Sequence, residues 1–200
     1  MQAAAIILAG GKNSRMSRNK AFMRIGERSI IEGIIERVKP LVEKVIVVTN
    51  SPDEYSNLGA EVITDVIPGR GPLSGIHAGL LASPYRYNLI IACDMPFVSR
   101  ELGEVLLEAA IGHDAAVVRI GGRPQPLFAV YSSGCLQPIE RLLREEKNKC
   151  TAFYPEIDIL YLDAESTALG VDLEEAYLNV NTPEEYENAI TLAEIKRRDR

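Results

Sequence analysis

Residues 4–22 read AAIILAGGKNSRMSRNKAF. An apolar run stops at two glycines, and Lys12, Arg15, Arg18 and Lys20 follow closely, with Arg24 just beyond. The run is too short to cross a membrane, and no basic segment precedes it and no cleavage site follows it, so it reads as a buried strand rather than a leader. Glycine turns after buried strands let a ligand lie against bare backbone, and nearby cations neutralise phosphate charge. The plainer reading is an ordinary glycine turn. The stretch is neither a dinucleotide fingerprint, since GxGxxG is absent, nor a Walker loop, since GxxxxGK[ST] is absent.

The 200 residues carry a formal charge of −6, with 46% hydrophobic and 25% charged side chains. The cation cluster is therefore local, and the summed field argues against a nucleic acid or an acidic membrane as partner. Cys93, Cys135 and Cys150 show no CxxC spacing and are odd in number, which suggests neither a zinc site nor a disulfide framework and fits a reducing, cytoplasmic setting. A single domain over 1–200 is expected, with residues 193–200 as a frayed tail.

Outward from the opening strand, apolar runs alternate with helical patterns. Strands are expected at Ala4–Ala9, Val45–Thr49, Glu61–Thr64, Asn88–Cys93, Ala115–Ile120, Leu127–Tyr131 and Ile157–Leu162, several apolar on both faces, as buried parallel strands require. Helices are expected from Ile30, where Ser29 and Glu32 make a capping box; over Leu73–Ala82; after Ser99; over Ser133–Glu146; and from Pro183, with Thr182 as cap and Glu185 bonding back. Gly121-Gly122-Arg123-Pro124 reads as a turn into PLFAVY, an antiparallel departure. The order implies an α/β three-layer sandwich with an open, mostly parallel, Rossmann-like sheet whose site lies beyond the carboxyl ends of its strands.

Those ends carry the chemistry. Asp65 follows the third strand and Asp94 the fourth, in IIACDMPF. One such carboxylate is commonly a cap or turn residue; two at strand ends suit Mg²⁺, which takes one or two carboxylates and completes its shell with water and phosphates. Met95 precedes Pro96 and is biased to extended backbone, which holds Asp94 at a turn. PGRGPLSGI, residues 68–76, adds a glycine-rich approach to a helix N-terminus, including Gly71, Pro72 and Leu73. Together with Leu8, Ala9, Gly10, Gly11, Lys20 and Arg15, these residues describe a nucleoside triphosphate site. Cys93 reads as inert core, and His77 and His113 as structural. An ionised phosphate oxygen as nucleophile needs no general base, so positioning and charge neutralisation suffice.

At these residues the chain resembles the molybdenum cofactor guanylyltransferases of the nucleotidyltransferase superfamily, through LAGGKNSRMSRNKAF, VITD, GPLSGI, ACDMPF, RPQPLFAVY and NVNTPEEY. The resemblance implies GMP transfer from GTP to the terminal phosphate of Mo-molybdopterin with Mg²⁺. It implies that Leu8, Ala9 and Gly10 line the nucleotide, Lys20 meets its phosphates, Asp65 lies at the nucleoside and Asp94 holds the metal. The pterin would approach Arg123–Gln125, Asn179 and Asn181. It also implies transient contacts with molybdenum-insertion proteins and molybdoenzyme chaperones. Within the resemblance, Ala9-Gly10-Gly11 and GPLSGI are similar to the GTP-using rather than the CTP-using members, which implies GTP. Two positions depart from the family pattern: Ser17 where it reads glycine, and Asn19 where it often has an acidic residue. Open alternatives are a CTP-dependent or sugar-phosphate nucleotidyltransferase, and a non-catalytic nucleotide-binding chaperone.

Overall fold

The computed structural model describes residues 1–10, 19–67, 69–164 and 170–198. Its strands are β1 (Ala3–Leu8), β2 (Arg24–Ile25), β3 (Arg28–Ser29), β4 (Lys44–Val48), β5 (Glu61–Ile63), β6 (Tyr87–Ala92), β7 (Ala115–Ile120), β8 (Arg123–Pro124), β9 (Phe128–Ser132) and β10 (Ile159–Asp163). Its helices are α1 (Ile30–Val38), α2 (Pro52–Tyr55), α3 (Pro72–Ala82), α4 (Arg100–Ala109), α5 (Leu136–Arg144), α6 (Leu173–Ala176) and α7 (Pro183–Arg198).

The main sheet runs β10-β7-β9-β6-β1-β4-β5, with β8 attached to β7. β1 pairs in parallel with β4 and β6, β4 with β5, and β10 with β7. β9 runs against both β6 and β7. The antiparallel departure expected after Gly121-Gly122 is present: both glycines have positive φ, and the turn folds β8 back on β7 before the chain enters β9. Reversing twice across β9 leaves β7 pointing the same way as β6. The carboxyl ends of β10, β7, β6, β1, β4 and β5 therefore share one edge.

Successive side chains of a strand face opposite ways, and both faces of β1 are covered. Ala3, Ala5 and Ile7 pack with α1 and α4, whereas Ala4, Ile6 and Leu8 pack with α3 and α5. This is the three-layer α/β sandwich read from the apolar runs, and each expected strand is present with its ends within two residues. Ser29 and Glu32 close the capping box at α1, and Thr182 and Glu185 do the same at α7. The tail expected to fray from residue 193 is instead helical through Arg198, with Lys196 paired to Glu175. The β2–β3 hairpin, α2 and α6 were not anticipated.

Gly79 lets α3 lie close on the sheet, for an added Cβ there would run into Cγ2 and Cδ1 of the fully buried Ile6. Gly79→Ala gains helix propensity of about 1 kcal/mol, but overpacking against β1 costs about 1–3 kcal/mol, so a net loss is expected. A urea titration should show a lower midpoint with unchanged slope; a variant as stable as the parent would contradict this packing.

Candidate functional site

The ladder continues past the strand ends. Ala9 N–H donates to Val48 O at 2.8 Å, Cys93 N–H to Leu8 O at 3.1 Å and Thr49 N–H to Ile63 O at 2.9 Å. These bonds fix the residues that follow β1, β6 and β4 at one rim. There Leu8, Ala9, Gly10, Asp65, Gly71 and Pro72 line a cavity of about 460 Å³. Gly71, at φ +67°, takes a backbone that side chains avoid and delivers the chain into α3 with Pro72 in its first turn. Gly75 brings α3 against Leu8 and Asp65, for a Cβ there would lie 3.0 Å from Leu8 Cδ2 and 3.8 Å from Asp65 Oδ1. Burial raises the Asp65 carboxyl, and a long 3.5 Å bond from Asn50 opposes that.

A second group sits at the end of β6. Val180 N–H donates to the Asp94 carbonyl at 2.8 Å, so the segment before α7 lies on the turn that follows β6. The α7 cap pins it, since Glu185 Oε2 accepts from the amides of Asn181 at 2.6 Å and Thr182 at 2.9 Å. Asn181 Oδ1 then accepts from Lys20 Nζ at 2.9 Å. Lys20 leaves a short 3-10 turn, Lys20–Phe22, capped by Asn19. Burial raises the Asp94 carboxyl above the ordinary carboxylate range, and the Lys20 charge pulls it back only partly. Asp94 Oδ1 is buried and has no hydrogen-bond partner. A buried, unsatisfied carboxylate oxygen beside an ammonium group is what a divalent cation and phosphates would complete. No group of three or more His, Cys, Asp or Glu able to hold a metal occurs among the described residues. A Mg²⁺ held by one carboxylate and substrate oxygens fits that donor set; a closed protein cage does not.

The two groups are neighbours along the rim. From β5 to β6 is three strand spacings, about 14 Å, on the scale of an extended nucleoside triphosphate. Asn19 lines the cavity and Lys20 reaches Asn181, so consecutive residues bridge the groups. Leu73 does not present its side chain to the site: it is fully buried in the core, because α3 is apolar on nearly every face, and only its main chain is available. Gln125 is outside the cavity, bonding Val118 O through its amide, and Asn179 bonds Tyr177 O. Gly11, Arg15 and Ser17 lie outside the described residues. Arg24 bonds Glu27 O at the surface.

Sequence reasoning missed Asn50, Glu54 and Tyr55, which line the cavity, and noted Asn19, which also lines it, only as a departure from the family pattern. Asn50 follows β4 as Asp65 follows β5, so the strand-end rule applied to every strand would have found it. Cys93 is inert, its thiol pushed up to about 12 by burial. His77 is buried and its pKa lowered by desolvation, and His113 pairs with Asp158 at 2.8 Å. A larger hollow of about 550 Å³ lies along α4, α6 and α7. Among its cations Arg100 is paired with Glu104 and Lys196 with Glu175, so its size is not matched by a converging polar set.

The fold and rim define a nucleotidyltransferase class of protein. Residues 5–155 match the MobA-like NTP transferase domain, and the chain belongs to that family. It is 40% identical over 200 residues, covering 100% of this chain and 98% of the other, to a protein of Pelotomaculum thermopropionicum named probable molybdenum cofactor guanylyltransferase. A protein of the same name from Carboxydothermus hydrogenoformans is 35% identical, with 95% of this chain and 96% of the other covered. The crystal structure of molybdopterin-guanine dinucleotide biosynthesis protein A from Archaeoglobus fulgidus superposes with a TM-score of 0.83 at 25% identity, covering 96% of this chain and 99% of that one.

The raised Asp94 pKa carries a stability consequence. A carboxyl that binds its proton more tightly when folded loses native-state stability as pH rises from its unfolded value, about 3.9, through its folded value. Without metal or nucleotide, Asp94→Asn should therefore melt a few degrees above the parent at pH 7.5, the gap narrowing towards pH 4. A lower melting temperature for the variant in chelator at pH 7.5 would show that Asp94 is not held at a cost.

Proposed function

We propose that this chain is a molybdenum cofactor guanylyltransferase, moving GMP from GTP to the terminal phosphate of Mo-molybdopterin. The observation that carries the reading is the meeting of Lys20, Asn181 and the unpartnered Asp94 oxygen beside the cavity that holds Asp65. The family and the names of its relatives support the same substrates.

In this reaction an oxygen of the pterin's terminal phosphate attacks the α-phosphorus of GTP. The new P–O bond forms as the bond from the α-phosphorus to the bridging oxygen breaks, and pyrophosphate leaves with that electron pair. The nucleophile is already an anion, so no side chain has to remove a proton. Mg²⁺, held by Asp94, would supply Lewis-acid withdrawal of charge from the phosphate oxygens. Lys20 offsets charge on the α-phosphate and departing pyrophosphate, and its bond to Asn181 fixes the ammonium before substrate arrives. Electrostatic groups set in place beforehand lower the barrier because nothing reorganises during the step. Asp65 and Asn50 hold the nucleoside end, and Ala9 and Gly10 offer main chain to the base. Arg15 is assigned to the phosphates, and Arg123–Gln125 with Asn179 to the pterin side, which shares the carboxyl-end rim. A cytoplasmic setting and transient contact with molybdenum-insertion and chaperone proteins complete the reading; no helix among the described residues is long and apolar enough to cross a membrane.

Purified protein given GTP, Mg²⁺ and Mo-molybdopterin should release pyrophosphate, and release should stop when the acceptor is omitted. Asp94→Asn and Lys20→Ala should each lower kcat by about a hundredfold or more. Equal turnover with CTP would defeat the guanine assignment, and full activity in Asp94→Asn would defeat the metal assignment.

A further inference from the structure

Tyr55 has no part in the chemistry above, yet it joins the two backbone segments that do. Its ring is buried, 1% exposed, and packs on Phe22 with centroids 4.8 Å apart. Its hydroxyl accepts from Asn19 Nδ2 at 3.0 Å and lies 3.4 Å from the Ala9 carbonyl, to which it can donate. Asn19 also donates to Glu54 Oε2 at 2.9 Å, and its Oδ1 accepts from Ala21 N–H at 3.2 Å. The glycine turn after β1, the 3-10 turn that carries Lys20 and the short helix α2 thus meet at one amide and one hydroxyl.

We infer that Asn19, Tyr55 and Glu54 form a positioning latch that sets Lys20 relative to the Ala9–Gly10 turn, and that with a carboxylate at position 54 its function depends on residue 19 being a neutral amide. The amide supplies two N–H donors, for the carboxylate and the hydroxyl, and an oxygen acceptor for the main-chain amide, a set that a carboxylate lacks. A carboxylate at position 19 would keep the cap but face the Glu54 carboxylate, and like charges at hydrogen-bond distance repel. The latch touches neither the phosphates nor the metal position in this reading. It acts through Lys20, and so rests on the role given to Lys20 above.

The test compares the parent, Asn19→Asp, Glu54→Gln, the double variant and the charge-neutral Tyr55→Phe. Two measurements are made on each: kcat and KM for GTP in pyrophosphate release, and the rate of tryptic cleavage of the Lys20–Ala21 bond, located by mass spectrometry in nucleotide-free protein. The cleavage rate reports docking of the turn whether or not the protein turns over. Asn19→Asp should lower kcat about tenfold or more and speed the cut at Lys20 severalfold. Adding Glu54→Gln should bring both values to within about threefold of the Glu54→Gln single variant, since the amide introduced on α2 can donate to the carboxylate introduced at the cap. Tyr55→Phe should lower kcat with KM changed less, and speed the same cut. The latch is overturned if Asn19→Asp matches the parent in the cleavage assay, if its loss is the same whether or not Glu54→Gln accompanies it, or if Tyr55→Phe leaves cleavage at the parent rate. Absence of pyrophosphate release from the parent would sink the functional reading, while the cleavage comparison still decides the latch.

Discussion

The candidate site depends on the hydrogen bond from Val180 N–H to the Asp94 carbonyl, which lays the segment before α7 on the turn that follows β6. Through it, the cap of α7 holds Asn181 within reach of Lys20, a residue 161 positions earlier. One carboxyl oxygen of the same Asp94 residue, Oδ1, is buried and unsatisfied. An unsatisfied buried polar atom costs about 1–3 kcal/mol, and Lys20 offsets only part of the burial. A protein selected for stability alone would remove that group or give it a partner. Its retention beside a fixed ammonium makes sense when a cation and phosphates complete the arrangement during part of each cycle.

Sheet order explains why the rim opens where it does. The chain leaves β1, builds β4 and then β5 on one side, and returns to place β6 on the other. The connection that leaves β1 passes through α1 on one face, whereas the one that enters β6 passes through α3 on the other, and the crevice between them lies at the carboxyl ends, the position that ligands take in open α/β sheets. The Leu8–Gly10 turn and the Cys93-Asp94 turn border that crevice. Reversal at β9 adds a consequence that a purely parallel sheet would lack. The β7–β8 hairpin brings Arg123 to the same rim as Asp94, on the segment that runs between β7 and β6. An acceptor longer than a simple phosphate has protein to lie against on that side.

Much of this was legible in the sequence because local and tertiary demands coincide. Runs such as Ala3–Leu8 and Tyr87–Ala92 are buried on both faces, so their composition has one reading. The boxes Ser29/Glu32 and Thr182/Glu185 are contained within four residues each and form as read. The β2–β3 hairpin escaped notice because two-residue strands show no alternation. The inward course of Leu73 escaped because α3, covered by the sheet and by α5, has no polar face to set its phase. The end of α7 was underestimated because its support, Glu175 and Glu27, comes from elsewhere in the chain. The pairing of Asn19 with Tyr55 was invisible for the same reason: they are 36 residues apart, and Asn19 stood out only as a departure within its motif while Tyr55 belongs to none.

A reaction with no protein nucleophile and no proton to remove leaves placement of charge as the protein's task. In that setting the residues that hold a cation still matter nearly as much as the cation. Lys20 is restrained at its backbone by the turn that Asn19 caps, and at its tip by an asparagine pinned through Glu185. Each restraint removes conformations that a free lysine would sample, and that ordering cost is then met in folding rather than at the transition state. Helix caps, whose ordinary role is to satisfy amide groups, here also set the electrostatics of the rim. The same logic accounts for the buried Tyr55 ring: rigidity at the rim has to come from a core, and Tyr55 with Phe22 extends the core of the β1 face out to the edge that carries Lys20.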